Sequence, residues 1–317
     1  MAPLRSLFDL QREDGVLRLS IAITVLVALL GIGFGLYARS FSIAFDGIYS
    51  LIDAGMSLLT LVVVRLINGY AGTTGLSRKL RERFSFGFWH LEPMLLVLNG
   101  TLLMGAGIYA LITAIDAVLN GGRPMAFGWA IVYAVITLVA CIGAAVVGHR
   151  ANRHIGSDFI ALDVRAWMMS CAITGALLLA FVIGHLVQDT RWSGITPYID
   201  PVVLAAVCLL ILPMPVGTIR QGLADIFRVT PLDLKQRIDE VAATAVHEYG
   251  FLSHRAYVAR MGREIEIELY FIVPHDYPVM SIPQWDALRD IIGDQIGQKS
   301  PHRWLTIAFT ADPEWAE

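Results

Sequence analysis

Asp46, Tyr49, Ser50 and Asp53 stand at i, i+3, i+4 and i+7 inside an apolar run from Ser42 to Leu66. On a helix their oxygens therefore share one narrow face, while Leu and Val cover the rest. A second apolar run, Phe159 to Val187, carries Asp163 and Trp167 at i and i+4 on one face, with Asp158 just ahead of it. A charge at mid-bilayer costs about 2.5–3.5 kcal/mol even on insertion scales, so acids on two such stripes call for a partner or a cargo. Carboxylate and phenol oxygens are hard ligands, and in a low-dielectric site a proton and a divalent cation compete for the same oxygens. The chemistry indicated is ion binding coupled to proton release. An intramembrane aspartyl protease also uses two membrane-buried aspartates, but its Gly-x-Gly-Asp motif is missing. No enzyme, no catalytic residue and no prosthetic group is expected.

The elements that must carry these stripes are membrane spans. Hydrophobic residues make up 56% of the 317-residue chain, which excludes an ordinary soluble domain. Runs long enough to cross a bilayer lie near Leu17–Leu36, Ser42–Leu66, Met94–Leu119, Phe127–Val147, Phe159–Val187 and Pro201–Val216. Residues 1–16 read as a short lead-in rather than a cleavable signal, because Glu13-Asp14 makes it acidic and the first apolar run is long enough to span. Arg78, Lys79, Arg81 and Arg83 follow span two, and Arg150 and Arg153 follow span four. The positive-inside rule then puts both termini in the cytoplasm, in a cell (inner) membrane. Arg165 is expected to snorkel to that interface or to pair with an acid. Cys141, Cys171 and Cys208 are isolated in apolar runs and read as small hydrophobes. A net charge of −3 and the absence of a basic patch argue against nucleic acid.

Ile199-Asp200-Pro201 opens span six, with Asp200 as its expected N-cap and Pro in the first turn. Beyond it the composition becomes that of a soluble domain. Thr230-Pro231 reads as a helix start with Thr230 as cap, and Gly250 as its end. Leu252–Arg260 and Glu264–Ile272 read as strands around a Met-Gly turn, the second alternating Ile265, Ile267, Leu269 and Phe271 with glutamates. Ser281-Ile-Pro-Gln284 caps a helix with Trp285, Leu288, Ile292 and Ile296 on one side, and Leu305–Phe309 gives a third strand. The fold class is an α-helical membrane protein of six transmembrane helices (residues 17–220) followed by a cytoplasmic α+β domain (residues 221–317) in the order αββαβ.

This layout resembles the cation diffusion facilitator family of metal cation/proton antiporters. The motifs that carry the resemblance are Tyr49-Ser-Leu-Ile-Asp53-Ala-Gly, Phe84-Ser-Phe-Gly-Phe-Trp-His-Leu-Glu92, Ile199-Asp-Pro201 and Gly222-Leu-Ala-Asp225. The resemblance implies a divalent ion held between spans two and five by four side chains, at the positions of Tyr49, Asp53, Asp163 and Trp167. Two of these depart from the family's acids and histidines: Tyr49 offers a phenol, and the Trp167 indole is donor-only. The site is therefore non-standard and harder than a zinc site, which makes iron(II) and manganese as plausible a cargo as zinc. Trp167 and Asp46 are candidate lining residues.

The resemblance also implies a homodimer and a metallochaperone-like tail. A loop metal site of relatives is expected to be absent, since Phe84 and Phe88 occupy its places. His254 and Asp312 are candidate cytoplasmic ligands. The family's dimer interlock falls on His90 and Asp225, with His in place of the usual Lys. The function implied is efflux of a divalent metal cation against inward protons, the alternative being a non-transporting member acting in metal sensing or hetero-oligomer assembly.

Overall fold

The computed structural model describes residues 13–71, 87–155, 158–262, 264–297, 299–300 and 302–317. Five long helices come first: α1 (Glu13–Ala38), α2 (Phe41–Ala71), α3 (Leu91–Leu119), α4 (Phe127–Ile155) and α5 (Asp158–Val187). A short 3-10 turn (Ser193–Ile195) leads into α6 (Thr196–Ile211), which Leu212-Pro213 separates from α7 (Met214–Ile226). Six stretches are long and apolar enough to cross a membrane, the last joining α6 to α7. Their outward faces carry Leu26, Leu29, Leu36, Ile112, Leu119, Val139, Leu179 and Leu186 in the open. Only lipid solvates such a surface, so the chain is a multi-pass membrane protein. The basic cluster Arg78–Arg83 and Phe84 lie outside the described residues, and Arg165 is exposed.

The chain divides into two compact units. In the first, formed by the chain up to Leu59 with Asn99–Gly217, α1 packs against α4 and α5. The approach of α1 to α2 requires glycine: a Cβ on Gly35 would lie 2.5 Å from the Ala44 nitrogen, and one on Gly47 2.6 Å from the Ile32 nitrogen. Small residues at these positions let the two backbones touch, as membrane helices do in the absence of a hydrophobic drive.

Asp200 corrects one expectation. It does not cap its own helix, which starts earlier, at Thr196, behind Ile195. Fully enclosed at 1% exposure, its carboxylate instead caps α2. It accepts from Ser40 Oγ at 2.6 Å, from the Phe41 N–H at 2.9 Å and from the Ser42 N–H at 3.4 Å, while Ser42 Oγ donates back to the Asp200 carbonyl at 3.0 Å. The first N–H groups of a helix have no intrahelical partner and its dipole favours an acid there, which explains a buried aspartate in this place.

The second unit gathers Thr60–Leu98 and Thr218–Glu317. Its soluble part runs α8 (Leu232–Tyr249), β1 (Ser253–Met261), β2 (Glu264–Ile272), α9 (Ile282–Ile296) and β3 (Arg303–Thr310), the αββαβ order. β2 is central, antiparallel to β1 and parallel to β3. Ile267, Leu269 and Phe271 are fully buried from the sheet, and Ile238, Ala242, Leu288, Ile292 and Ile296 meet them from the helices. The cap of α8 is Pro231 rather than Thr230, without a side-chain bond, because the helix begins one residue later than Pro at N1 would place it. Gly250 ends it at φ +70, a conformation costly for residues with a Cβ. The Ser281 N–H donates to Gln284 Oε1 at 2.7 Å at the start of α9.

Two measurements test this description. Asp200→Ala removes an acceptor from three donors at once and is expected to destabilise the protein by about 2–4 kcal/mol, read as a lower melting temperature in detergent, with Asp200→Asn milder. Near the start of β2, burial and then the neighbouring Glu266 push the Glu264 carboxyl up from 4.5 to about 7, against a smaller opposite pull from Arg228. The folded state thus binds this proton more tightly than the unfolded chain, so the contribution is present at low pH and lost as pH rises from 4.5 to about 7. The melting temperature should decline across that window, and Glu264→Gln should flatten the decline.

Candidate metal site in the membrane

One cavity of about 200 Å³ lies within the first unit, and the polar stripes of α2 and α5 converge on it. α2 contributes Asp46, Tyr49, Ser50 and Asp53, at i, i+3, i+4 and i+7 on the same face. α5 contributes Asp163, Trp167, Ser170 and Thr174 at i, i+4, i+7 and i+11. Thr24 comes from α1, and Thr137 and Cys141 from α4. The Asp158 side chain lies outside the described residues.

Each acid in the cavity has a donor beside it. Tyr133 of α4 donates its hydroxyl to Asp46 Oδ2 at 2.9 Å. That phenol fits because Gly31 faces it: a Cβ there would come within 2.8 Å of the Tyr133 oxygen. Asn99 of α3 brings its carboxamide to the Asp53 carboxyl, with its own Oδ1 buried and unpartnered. Ser20 of α1 donates to Asp163 Oδ1 at 2.8 Å and accepts the Trp167 indole N–H at 2.8 Å. Trp167 is 6% exposed, packed against Cys141 and Ala144. Tyr49 leans on Phe45, ring centroids 5.6 Å apart.

Three carboxyls, a phenol and several hydroxyls around one small cavity form an oxygen-rich set suited to a hard or borderline divalent cation. Imidazole does not line it, and Cys141 supplies a single thiol. By the stricter criterion of three or more His, Cys, Asp or Glu side chains already close enough to hold one ion, no group occurs among the described residues. A cation bound here would thus rely on phenol, hydroxyl, amide or water oxygens besides the carboxylates.

The reading from sequence located the α2 and α5 stripes but missed Ser20, Asn99, Tyr133 and Thr137. A signal existed for some: Ser20 and Thr24 are four apart in α1, as are Tyr133, Thr137 and Cys141 in α4, which places each set on one helix face. Cys141, taken for a small hydrophobe, is buried and also lines the cavity.

The candidates in the α+β tail lie elsewhere. His254 Nε2 is 3.4 Å from Asp239 Oδ1, and Asp239 also holds Lys235 Nζ at 2.5 Å. Asp312 Oδ1 accepts from the Glu314 N–H at 3.0 Å, capping the final 3-10 turn. His90 precedes α3, and Asp225 near the end of α7 accepts from the Gly262 N–H at 3.2 Å. Among the described residues His90 and Asp225 form no ion pair within the chain. Phe88 is buried with Val63, Ile67 and Trp89.

No curated protein matches the chain. The family model for the cation efflux transmembrane domain matches residues 17–227, which takes in all six spans and every residue of the cavity. With more than half of the chain matched, six spans and a small α+β tail, the chain belongs to the cation efflux (cation diffusion facilitator) family of metal-cation transporters.

Proposed function

We propose that the protein exports a divalent metal cation from the cytoplasm in exchange for protons, through a site between α2 and α5. The observation that carries this reading is the single cavity lined by Asp46, Tyr49 and Asp53 on one helix and Asp163 on the other. Asp53 and Asp163 are the principal ligands, Tyr49 adds a phenol oxygen, and Asp46 and Trp167 line the path. Carboxyl protons leave as the cation binds and return when it departs, so the inward proton gradient drives the ion out. Alternating access follows from rocking of helices around the fixed site. The oxygen-rich lining favours iron(II) or manganese alongside zinc.

The protein works as a homodimer in the cell (inner) membrane with both termini cytoplasmic. His90 and Asp225 form the interlock between protomers. His254 and Asp312 are weaker candidates for a cytoplasmic metal site, since each already serves a neighbour. A second reading, a non-transporting member acting in sensing or assembly, draws on Trp167, whose N–H is committed to Ser20 where relatives offer a ligand.

Reconstituted vesicles decide between them. Metal uptake with counterflow of protons is expected for zinc, iron(II) or manganese, and Asp53→Ala and Asp163→Ala should each reduce it to the level of empty vesicles while the purified variants stay folded and dimeric. Wild-type flux in either variant would remove the site assignment, and absence of flux in the native protein would favour the second reading. The interlock has its own test. Crosslinking between protomers at this segment should weaken in His90→Ala and be kept in His90→Lys; unchanged crosslinking in His90→Ala would remove the interlock assignment.

A further inference from the structure

We infer that Ser20, on α1, is a positioning residue for Asp163, and that Trp167 sets the direction in which it acts. This rests on the reading of Asp163 as an ion ligand. The argument is a matter of donors and acceptors. An indole nitrogen can only donate, so at 2.8 Å the Ser20 oxygen must accept from Trp167. With the indole donating to its oxygen, Ser20 has its one hydroxyl hydrogen left for the Asp163 carboxyl, 2.8 Å away. The first direction is fixed by chemistry, and the second follows from it.

Both members of the relay are enclosed, Ser20 at 7% and Trp167 at 6% exposure. Water therefore does not compete for these bonds, which are stronger in low dielectric than at a surface. Trp167 and Asp163 are four apart on α5, and Ser20 approaches from α1 across from both. The ring itself is wedged against Cys141 and Ala144 of α4, so its N–H cannot swing.

The consequence concerns the apparent gap in the site. Trp167 contributes no ligand, but it brings a third helix into the control of Asp163. A carboxylate held by a fixed donor presents its remaining lone pairs to the cation in one orientation, and positioning of this kind is what lets a site with few protein ligands bind at all. α1 thereby becomes part of the ion-binding machinery without touching the ion. Should helices rock during transport, movement of α1 relative to α5 would release Asp163 from Ser20.

The test is a double-mutant cycle in reconstituted vesicles on the full chain, with Ser20→Ala, Trp167→Phe and both together. Zinc and manganese are the probes. Each single change should raise the half-saturating metal concentration about tenfold, the size expected for one hydrogen bond to a charged group, with the maximal rate little changed. The double change should be no worse than either single one, because the relay is broken once by either route. Ser20→Thr, which keeps the hydroxyl, should restore native affinity.

Native affinity in Ser20→Ala, or additive losses in the double variant, would overturn the inference. If Ser20→Ala does not fold, Ser20→Cys, which keeps the volume but is a much weaker donor, takes its place in the cycle with the same expected and overturning outcomes. Asp163→Ala in the same assay separates the two levels of argument. If it transports normally, the site assignment has failed. If it is inactive while Ser20→Ala is native, only the role of Ser20 has failed.

Discussion

A carboxylate inside an apolar bundle must find a donor, a proton or a cation, and much of this protein follows from that requirement. Four of the acids in its membrane part are each met by a group from a different helix: Ser20 for Asp163, Tyr133 for Asp46, Asn99 for Asp53, and the start of α2 for Asp200. Asp200 differs from the rest. It has several donors, is enclosed, and does not line the cavity between α2 and α5. The other three have fewer fixed donors and share a cavity large enough for a partly hydrated ion. A saturated carboxylate is a structural part, while under-supplied ones facing a common space are the natural place for a proton or a cation.

The packing of α1 serves the same end. Gly35 and Gly47 bring α1 and α2 to backbone contact, and Gly31 leaves room for the Tyr133 hydroxyl to reach Asp46. Were Gly31 alanine, the added methyl would press on that oxygen and the donor would have to move. Close helix approach and acid solvation are thus consequences of the same small residues. The turn that joins α1 to α2 is held by Asp200 from α6, which ties three helices together where α2 begins.

The α+β tail obeys the ordinary rules of a water-soluble domain. β2 alternates core and polar residues, and burial, with Glu266 beside it, moves Glu264 toward neutrality. A domain with such a face responds to pH by itself. Its His254 and Asp312 are engaged locally, one with Asp239 and the other as a cap.

The six spans were legible from apolar run length, because the bilayer thickness sets how many residues a helix needs, and the tail was legible because strand and helix periods differ. The α2 and α5 stripes were likewise visible as i, i+4 patterns. Only the ends and caps moved: α4 runs on to Ile155, α6 begins at Thr196, and α8 is preceded by Pro231. Periodicity reports which residues share a face of one helix; it contains nothing about which faces of different helices meet. The partnership of Ser20 with Asp163 joins residues 143 positions apart, Tyr133 with Asp46 87, and Ser40 with Asp200 160. Those pairings exist only once the bundle has closed, and so it was the tertiary structure that decided which helices attend each acid, that Asp200 caps a helix other than its own, and that Trp167 faces a serine.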